Sequence, residues 1–351
     1  MNENPLDVLK ASAAWRSAYA IQRGTLHRFY ELSQQTLRLA CTLKPLDEHT
    51  LSMERNLFST LFILTTGALE LPPNKTRFYA LVNQCLRTLV TGCDNLLDDE
   101  YKEVVPLDIA GEGTRFRSVL QIMTADAVVS GMLAEEVEAG RLDAAGAARL
   151  TQAVLAALVP SGIQEHEEES NTAKEVPRPS QMLQDIHYRK TGLLFQAPIR
   201  VVQLVESLDR LKAARLASAL ARFGLGCQIL DDVVDVAADL ANGRYNLVLS
   251  MAYHGAIASE RDVVRFLGGG ARPTAAEADD IASRLERAAA SCHRLAEGQF
   301  SDALRVMQNM IPQFEAEAAE SLVTLVRMAI LKDKYTILSK TADERPITSL
   351  P

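Results

Sequence analysis

Residues 228–235 (Gln-Ile-Leu-Asp-Asp-Val-Val-Asp) set three carboxylates into a run that otherwise reads as the buried side of a helix. Asp231 and Asp235 are four apart, so on a helix they project from one face a turn apart, where like charges repel. A chain that keeps them beside Ile229, Leu230, Val233 and Val234 has a cation to hold there. A weaker version stands upstream at residues 94–100 (Asp-Asn-Leu-Leu-Asp-Asp-Glu), with Asp94 and Asp98 again four apart and Asn95 in the second carboxylate's place. Two such turns facing each other across a helical cavity predict an all-oxygen site for hard divalent ions. Mg²⁺ bound in that way keeps several waters and shares a diphosphate.

The remaining composition fits that ligand and excludes others. The chain has 351 residues, 48% of them hydrophobic, enough for a large core, and no long linker or fixed-period repeat, so it reads as one domain over 1–351. A formal charge of −8 argues against nucleic acid, whose phosphates need a basic face, and means that metal must bridge the protein to any diphosphate. Cys41, Cys85, Cys93, Cys227 and Cys292 are odd in number and widely spaced, as expected of reduced core residues in a cytoplasmic protein without a zinc site. The N-terminus lacks the basic start and apolar run of a signal peptide, and Leu57–Leu71 is too short and too polar to span a bilayer.

In chain order, the apolar spacing predicts a helical unit from Asp7 to about Leu43 with a break near Gly24. A helix over Leu51–Leu71 follows, and then one that Asn74 caps and that runs to Glu100. The first acidic cluster thereby falls at the negative pole of a helix, where carboxylates are unfavourable without a cation. Residues 101–113 read as a loop placed to cover it. Helices are predicted from Thr114 through Met132 and over Ala144–Leu158; Pro160-Ser161-Gly162 ends or kinks the latter and leaves Glu165–Glu169, His166 included, as a solvated loop. Ser180 caps a helix carrying Tyr188–Gly192, Leu208–Ala238 carries the central motif, and two helices close the chain over about 276–310 and 313–339. Strand signals are almost absent. The predicted fold is an all-α bundle of ten or more helices around a metal-binding cavity.

The pair of acidic motifs resembles the trans-isoprenyl diphosphate synthases (polyprenyl synthetases) and the class I terpene synthases that share their fold, with landmarks in the same order over about residues 80–255. By that resemblance Asp94 and Asp98 are metal ligands of the first motif, and Asp231, Asp232 and Asp235 of the second, which Gln228 precedes. Lys190-Thr191 looks like the family's Lys-Thr element, whose lysine contacts the allylic diphosphate, and Arg244 lies in a segment similar to the basic stretch after the second motif. Gly162-Ile163-Gln164 stands where the family has a Gly-Gln element. The resemblance implies three Mg²⁺ ions with bound diphosphate, an allylic isoprenyl diphosphate substrate and a homodimer. Elementary chemistry agrees, since an ionising allylic diphosphate leaves as pyrophosphate, whose growing charge metal, Lys and Arg stabilise.

Departures from the family pattern set the functional expectation. Chain-elongating members carry a Gly-Lys-x-x-Arg element before the first motif and an Arg-Arg pair after it, both basic groups for the diphosphates. Residues 57–64 (Leu-Phe-Ser-Thr-Leu-Phe-Ile-Leu) and 101–106 (Tyr-Lys-Glu-Val-Val-Pro) contain neither; Arg115 and Arg117, further on, are either partial substitutes or ordinary surface or ion-pair residues. Lys334-Tyr335 resembles the Arg-Tyr pair of bacterial cyclases. The reading is therefore a Mg²⁺-dependent enzyme that ionises one allylic diphosphate and cyclises, rearranges or quenches the cation, as terpene synthases do. The alternatives are chain elongation with isopentenyl diphosphate and a non-catalytic subunit of a heteromeric synthase.

Overall fold

The computed structural model describes residues 4–38, 40–97, 101–111, 113–169, 175–269 and 272–343, with side chains up to residue 330. It is all-α, as the periodicity predicts; the extended backbone among the described residues is one two-residue antiparallel pair, β1 (Thr42–Leu43) against β2 (Leu107–Asp108), with Thr42 opposite Asp108. The chain divides into two compact units. One comprises Met1–Leu158, Ala197–Ala217 and Met307–Ala318, the other Val159–Gln196, Ser218–Val306 and Ala319–Pro351.

In the first unit, α1 (Pro5–Ala11) and α2 (Ala13–Leu37) are separated at Ser12, whose hydroxyl accepts from Trp15 N and caps α2. The break expected near Gly24 is absent: α2 runs through that glycine, at a cost of about 1 kcal/mol that burial of Trp15, Leu26 and Phe29 outweighs. Trp15 stacks on Phe314 with ring centroids 6.2 Å apart. A 3₁₀ turn (Glu54–Asn56) leads into α3 (Leu57–Gly67), and α4 (Pro73–Leu97) packs on α2, α3 and α5 (Thr114–Glu138). Gly92 permits the close approach of α4 to α5, for a Cβ there would stand 2.6 Å from Ile122 Cγ1 and 3.2 Å from the Ser118 carbonyl. Helix α4 is a core helix, with even Asn83, Gln84 and Thr88 buried.

The long α6 (Ala144–Glu169) continues through Pro160 rather than ending there, because proline removes only one N–H and the turns beyond it are held by Gln164 donating to Glu168 and by Lys190 against Glu165 and Glu168. The acidic run 165–169 is therefore helical. In the second unit, α7 (Pro179–Gln181) starts at Arg178, not Ser180, and its backbone widens into two π-helical segments, Met182–Ile186 and Tyr188–Gly192, before α8 (Leu193–Val205). Such widened turns occur mostly at functional sites. Helix α9 (Arg210–Asn242) is 33 residues long and carries the central motif. Phe223, fully buried on α9, packs between Phe195 and Phe300 at centroid distances of 6.4 and 5.0 Å. Beyond it come α10 (Leu247–His254), α11 (Ala258–Val264), α12 (Ala275–Ser283), α13 (Glu286–Met310) and α14 (Ala316–Asp343). No described helix is long and apolar enough to cross a membrane.

Candidate active site

Three carboxylates of the central motif occupy three environments. Asp231 is exposed and Asp235 half-buried, one turn apart on α9, while Asp232 is 3% exposed. Asp232 Oδ2 accepts from Leu247 N at 2.6 Å and lies 3.0 Å from His187 Nε2; its Oδ1 accepts from Gln228 Nε2 at 3.3 Å. What brings Leu247 back onto α9 is Gly243, at φ +69°, which ends the helix in the left-handed conformation. Asn246 then donates to the Asp232 carbonyl at 2.7 Å and to Asp239 Oδ2 at 2.9 Å, and its own Oδ1 caps α10 by accepting from Val248 N and Leu249 N. Burial pushes the Asp239 carboxyl up to about 7; the Asn246 hydrogen bond opposes the shift, and the Asp232 and Asp235 carboxylates add to it.

Lys190, on the second π segment, has Nζ 2.8 Å from Glu165 and 3.8 Å from Glu168, both on α6. Burial alone would lower its pKa, but the Glu168 and Glu165 carboxylates outweigh that and raise it, so the ammonium stays charged. Burial in turn holds the Glu168 carboxyl above its ordinary range, against the pull of Lys190. The next residue, Thr191, donates to Gln228 Oε1 at 2.6 Å, and Gln228 passes hydrogen bonds on to Asp232 and, at 3.5 Å, to Asp231. Lys190, Thr191, Gln228 and the Asp231–Asp235 turn are thus brought together. Arg244 is half-buried just past the Gly243 turn, and His166 is exposed on α6.

In the first unit, Asp94 is exposed on the last turns of α4, and Asp98 lies outside the described residues. Asn95 between them is 3% exposed and holds the following loop, its Nδ2 donating to the Lys102 carbonyl (3.1 Å) and its Oδ1 accepting from Lys102 N (2.8 Å). Gln121 of α5 grips the same loop by accepting from Val104 N and Val105 N.

The polyprenyl synthetase family model matches residues 118–244. Geranylgeranyl pyrophosphate synthetase from Pyrococcus horikoshii superposes with a TM-score of 0.60 at 14% identity, over 92% of this chain and 99% of that one. Heptaprenyl diphosphate synthase from Staphylococcus aureus gives 0.61 at 16%, over 88% and 96%. Geranylgeranyl pyrophosphate synthase from Corynebacterium glutamicum, solved with isoprenyl diphosphate and magnesium, gives 0.56 at 13%, over 90% and 98%. Comparison with curated proteins gives no match. Residues 118–244 thus resemble the polyprenyl synthetases, and the helical fold of the chain is the one those synthases share.

Several residues that depart from the superfamily pattern have defined places. Arg117 donates to the carbonyls of Leu107, Ile109 and Gly111, holding the loop that contains β2, while Arg115 is exposed at the start of α5. Lys334 and Tyr335 fall where α14 has no described side chains. A basic group unforeseen from the sequence stands on α4. Arg87 donates to Asn56 Oδ1 (2.9 Å), Ser59 Oγ (3.4 Å) and the Arg55 carbonyl (3.0 Å), and among the described residues no carboxylate pairs with it. Its guanidinium lies deep yet keeps a solvent-accessible edge; burial, with the Arg55 charge, pushes its pKa down to about 10. Arg55 in turn reaches His49 Nδ1 at 3.3 Å. Arg87 and Asp94, seven residues apart, share one face of α4 about 10 Å apart along its axis.

Magnesium fits the residues present. Among the described residues no three His, Cys, Asp or Glu side chains converge tightly enough to hold an ion alone. The carboxylates at 231 and 235 offer one turn of hard oxygen donors, which suits an ion that takes one or two carboxylates and fills its sphere with water and substrate phosphate.

Proposed function

We propose that this chain is a Mg²⁺-dependent prenyltransferase that elongates an allylic isoprenyl diphosphate with isopentenyl diphosphate. Arg87 carries the reading: a deep guanidinium, hydrogen-bonded to neutral acceptors and to no described carboxylate, on the Asp94 face of α4. A half-buried guanidinium that no described carboxylate pairs with is suited to an anionic ligand. It supplies the second basic site that the sequence reading of a single-substrate terpene synthase found missing.

The two diphosphates need different surroundings. The allylic one must ionise, and we assign Asp94, Asp98, Asp231 and Asp235 to holding Mg²⁺ for it, with Asp232 fixing the helix face. When bound, the metal supplies Lewis acidity toward the leaving diphosphate. Lys190 is assigned to the same diphosphate, exchanging Glu165 for a phosphate oxygen, with Arg244 beside it and Gln228 and Thr191 setting the lysine's position. Isopentenyl diphosphate keeps its diphosphate through the reaction, so fixed cations suffice, and Arg87 and Arg55 are assigned to it. The exposed apolar row Phe116, Val119 and Met123 on α5 supports a second copy of the chain as partner.

The test incubates purified protein and Mg²⁺ with ten-, fifteen- and twenty-carbon allylic diphosphates, each with and without isopentenyl diphosphate, and analyses solvent extracts and phosphatase-treated products. Longer prenyl alcohols are expected only when both substrates are present. Cyclic or volatile product from an allylic diphosphate alone would replace the proposal by terpene synthesis, and no turnover in any tube would favour a subunit role.

A further inference from the structure

Between the π-helical segment and α9 run two hydrogen-bonded rungs, His187 to Asp232 and Thr191 to Gln228. Their partners are spaced alike, 187 and 191 on one side and 232 and 228 on the other, so the rungs fix both the register and the rotation of the two helices. Lys190 sits between them on one side, and Asp231 flanks the first rung on the other. The His187 rung is dry: its side chain is 2% exposed and that of Asp232 4%. His187 Nε2 carries the hydrogen, since the Asp232 oxygen accepts, while Nδ1 is buried with no hydrogen-bond partner among the described residues. Burying an orphan nitrogen is unfavourable, and an apolar side chain would fill the same space without it. The imidazole is therefore retained for its one bond to Asp232.

We propose that His187 is a positioning residue for the acidic turn: through Asp232 it sets the face on which Asp231 and Asp235 meet metal and diphosphate, at a fixed offset from Lys190. This rests on the reading of that turn given above. The groups facing the imidazole act without touching substrate, so their loss is expected to weaken metal-diphosphate binding rather than to abolish a chemical step.

The test measures Mg²⁺-dependent binding of inorganic pyrophosphate to the full-length chain by calorimetry, with the melting temperature recorded alongside, for wild type, His187→Leu, His187→Gln and His187→Ala. Glutamine can place its Nε2 hydrogen where the imidazole's was; leucine cannot. We expect His187→Leu to melt as a folded protein and to bind about 10–100-fold more weakly, His187→Gln to recover most of the loss, and added imidazole to restore His187→Ala several-fold. Equal binding by the leucine variant, or weakened binding that neither glutamine nor imidazole restores, overturns the proposal. Because the readout needs no turnover, failure of prenyl transfer in the wild type would count against the proposed reaction alone, whereas no pyrophosphate binding by the wild type would overturn both.

Discussion

The two acidic motifs carry different polar residues after their first aspartate and agree in the use of that position. In the second motif the middle residue, Asp232, is 3% exposed and accepts from backbone, histidine and glutamine; in the first, Asn95 is equally buried and clasps the Lys102 peptide. Both are internal hubs, flanked by residues that reach solvent. An acid can only accept, so the second motif gathers donors from α10, the π segment and its own helix. The amide both donates and accepts, and so fixes a loop with no help. The asparagine that stands in a carboxylate's place is a working structural residue, and the proposed function leaves the metal to the outer carboxylates.

That comparison can be broken most severely at the outer positions. Asp231→Ala and Asp235→Ala are each expected to lower kcat by about 10³-fold, roughly 4 kcal/mol of transition-state stabilisation, measured as product formation at saturating Mg²⁺. In chelator, the same variants should be no less stable than wild type, because each removes one of two like charges that repel across a helical turn.

The middle positions should respond in the opposite way. Asn95→Asp, which makes the first motif look more like the second, is expected to cost about 1–3 kcal/mol in urea unfolding with no gain in activity, since it buries a charge and loses the donor to Lys102. Asp232→Asn should cost a similar amount, about 1–3 kcal/mol, through one lost acceptor. A stable, more active Asn95→Asp protein would contradict the assignment of that residue to the loop.

The finest distinction concerns the turn after the second motif. Asp239 is held at about 7 when folded against an ordinary value of 3.8, so between those pH values the native state keeps a proton that the unfolded chain has lost. Wild-type stability in chelator should therefore fall as pH rises from about 4 to 7 and level off above, relative to Asp239→Asn, which lacks that slope.

Much of this was legible in the sequence, for reasons that can be named. Helical periodicity gave the bundle, and carboxylates four apart within an apolar run gave the solvent-reaching face of α9 that Asp231 and Asp235 share. Pro160 misled, because a proline's local cost is offset where the helix beyond it brings Glu165 and Glu168 to Lys190. The acidic run read as solvated for the same reason, though Glu165 and Glu168 face Lys190. Arg87 carried a usable signal, its spacing of seven from Asp94, but depth and the absence of a described acid beside it are tertiary facts. His187 carried none: three residues before Lys190 it reads as an ordinary helical neighbour, and its bond to Asp232, 45 residues further on, is a tertiary fact.

The most direct test of the account separates its two cation sites kinetically. Michaelis constants for the allylic and isopentenyl diphosphates should be measured for Arg87→Gln and Lys190→Gln against wild type. The account predicts that Arg87→Gln raises KM for isopentenyl diphosphate by about 10-fold or more, as expected for a lost charged hydrogen bond, with the allylic KM unchanged, and that Lys190→Gln does the reverse. An Arg87→Gln enzyme with an unaltered isopentenyl diphosphate KM would contradict it.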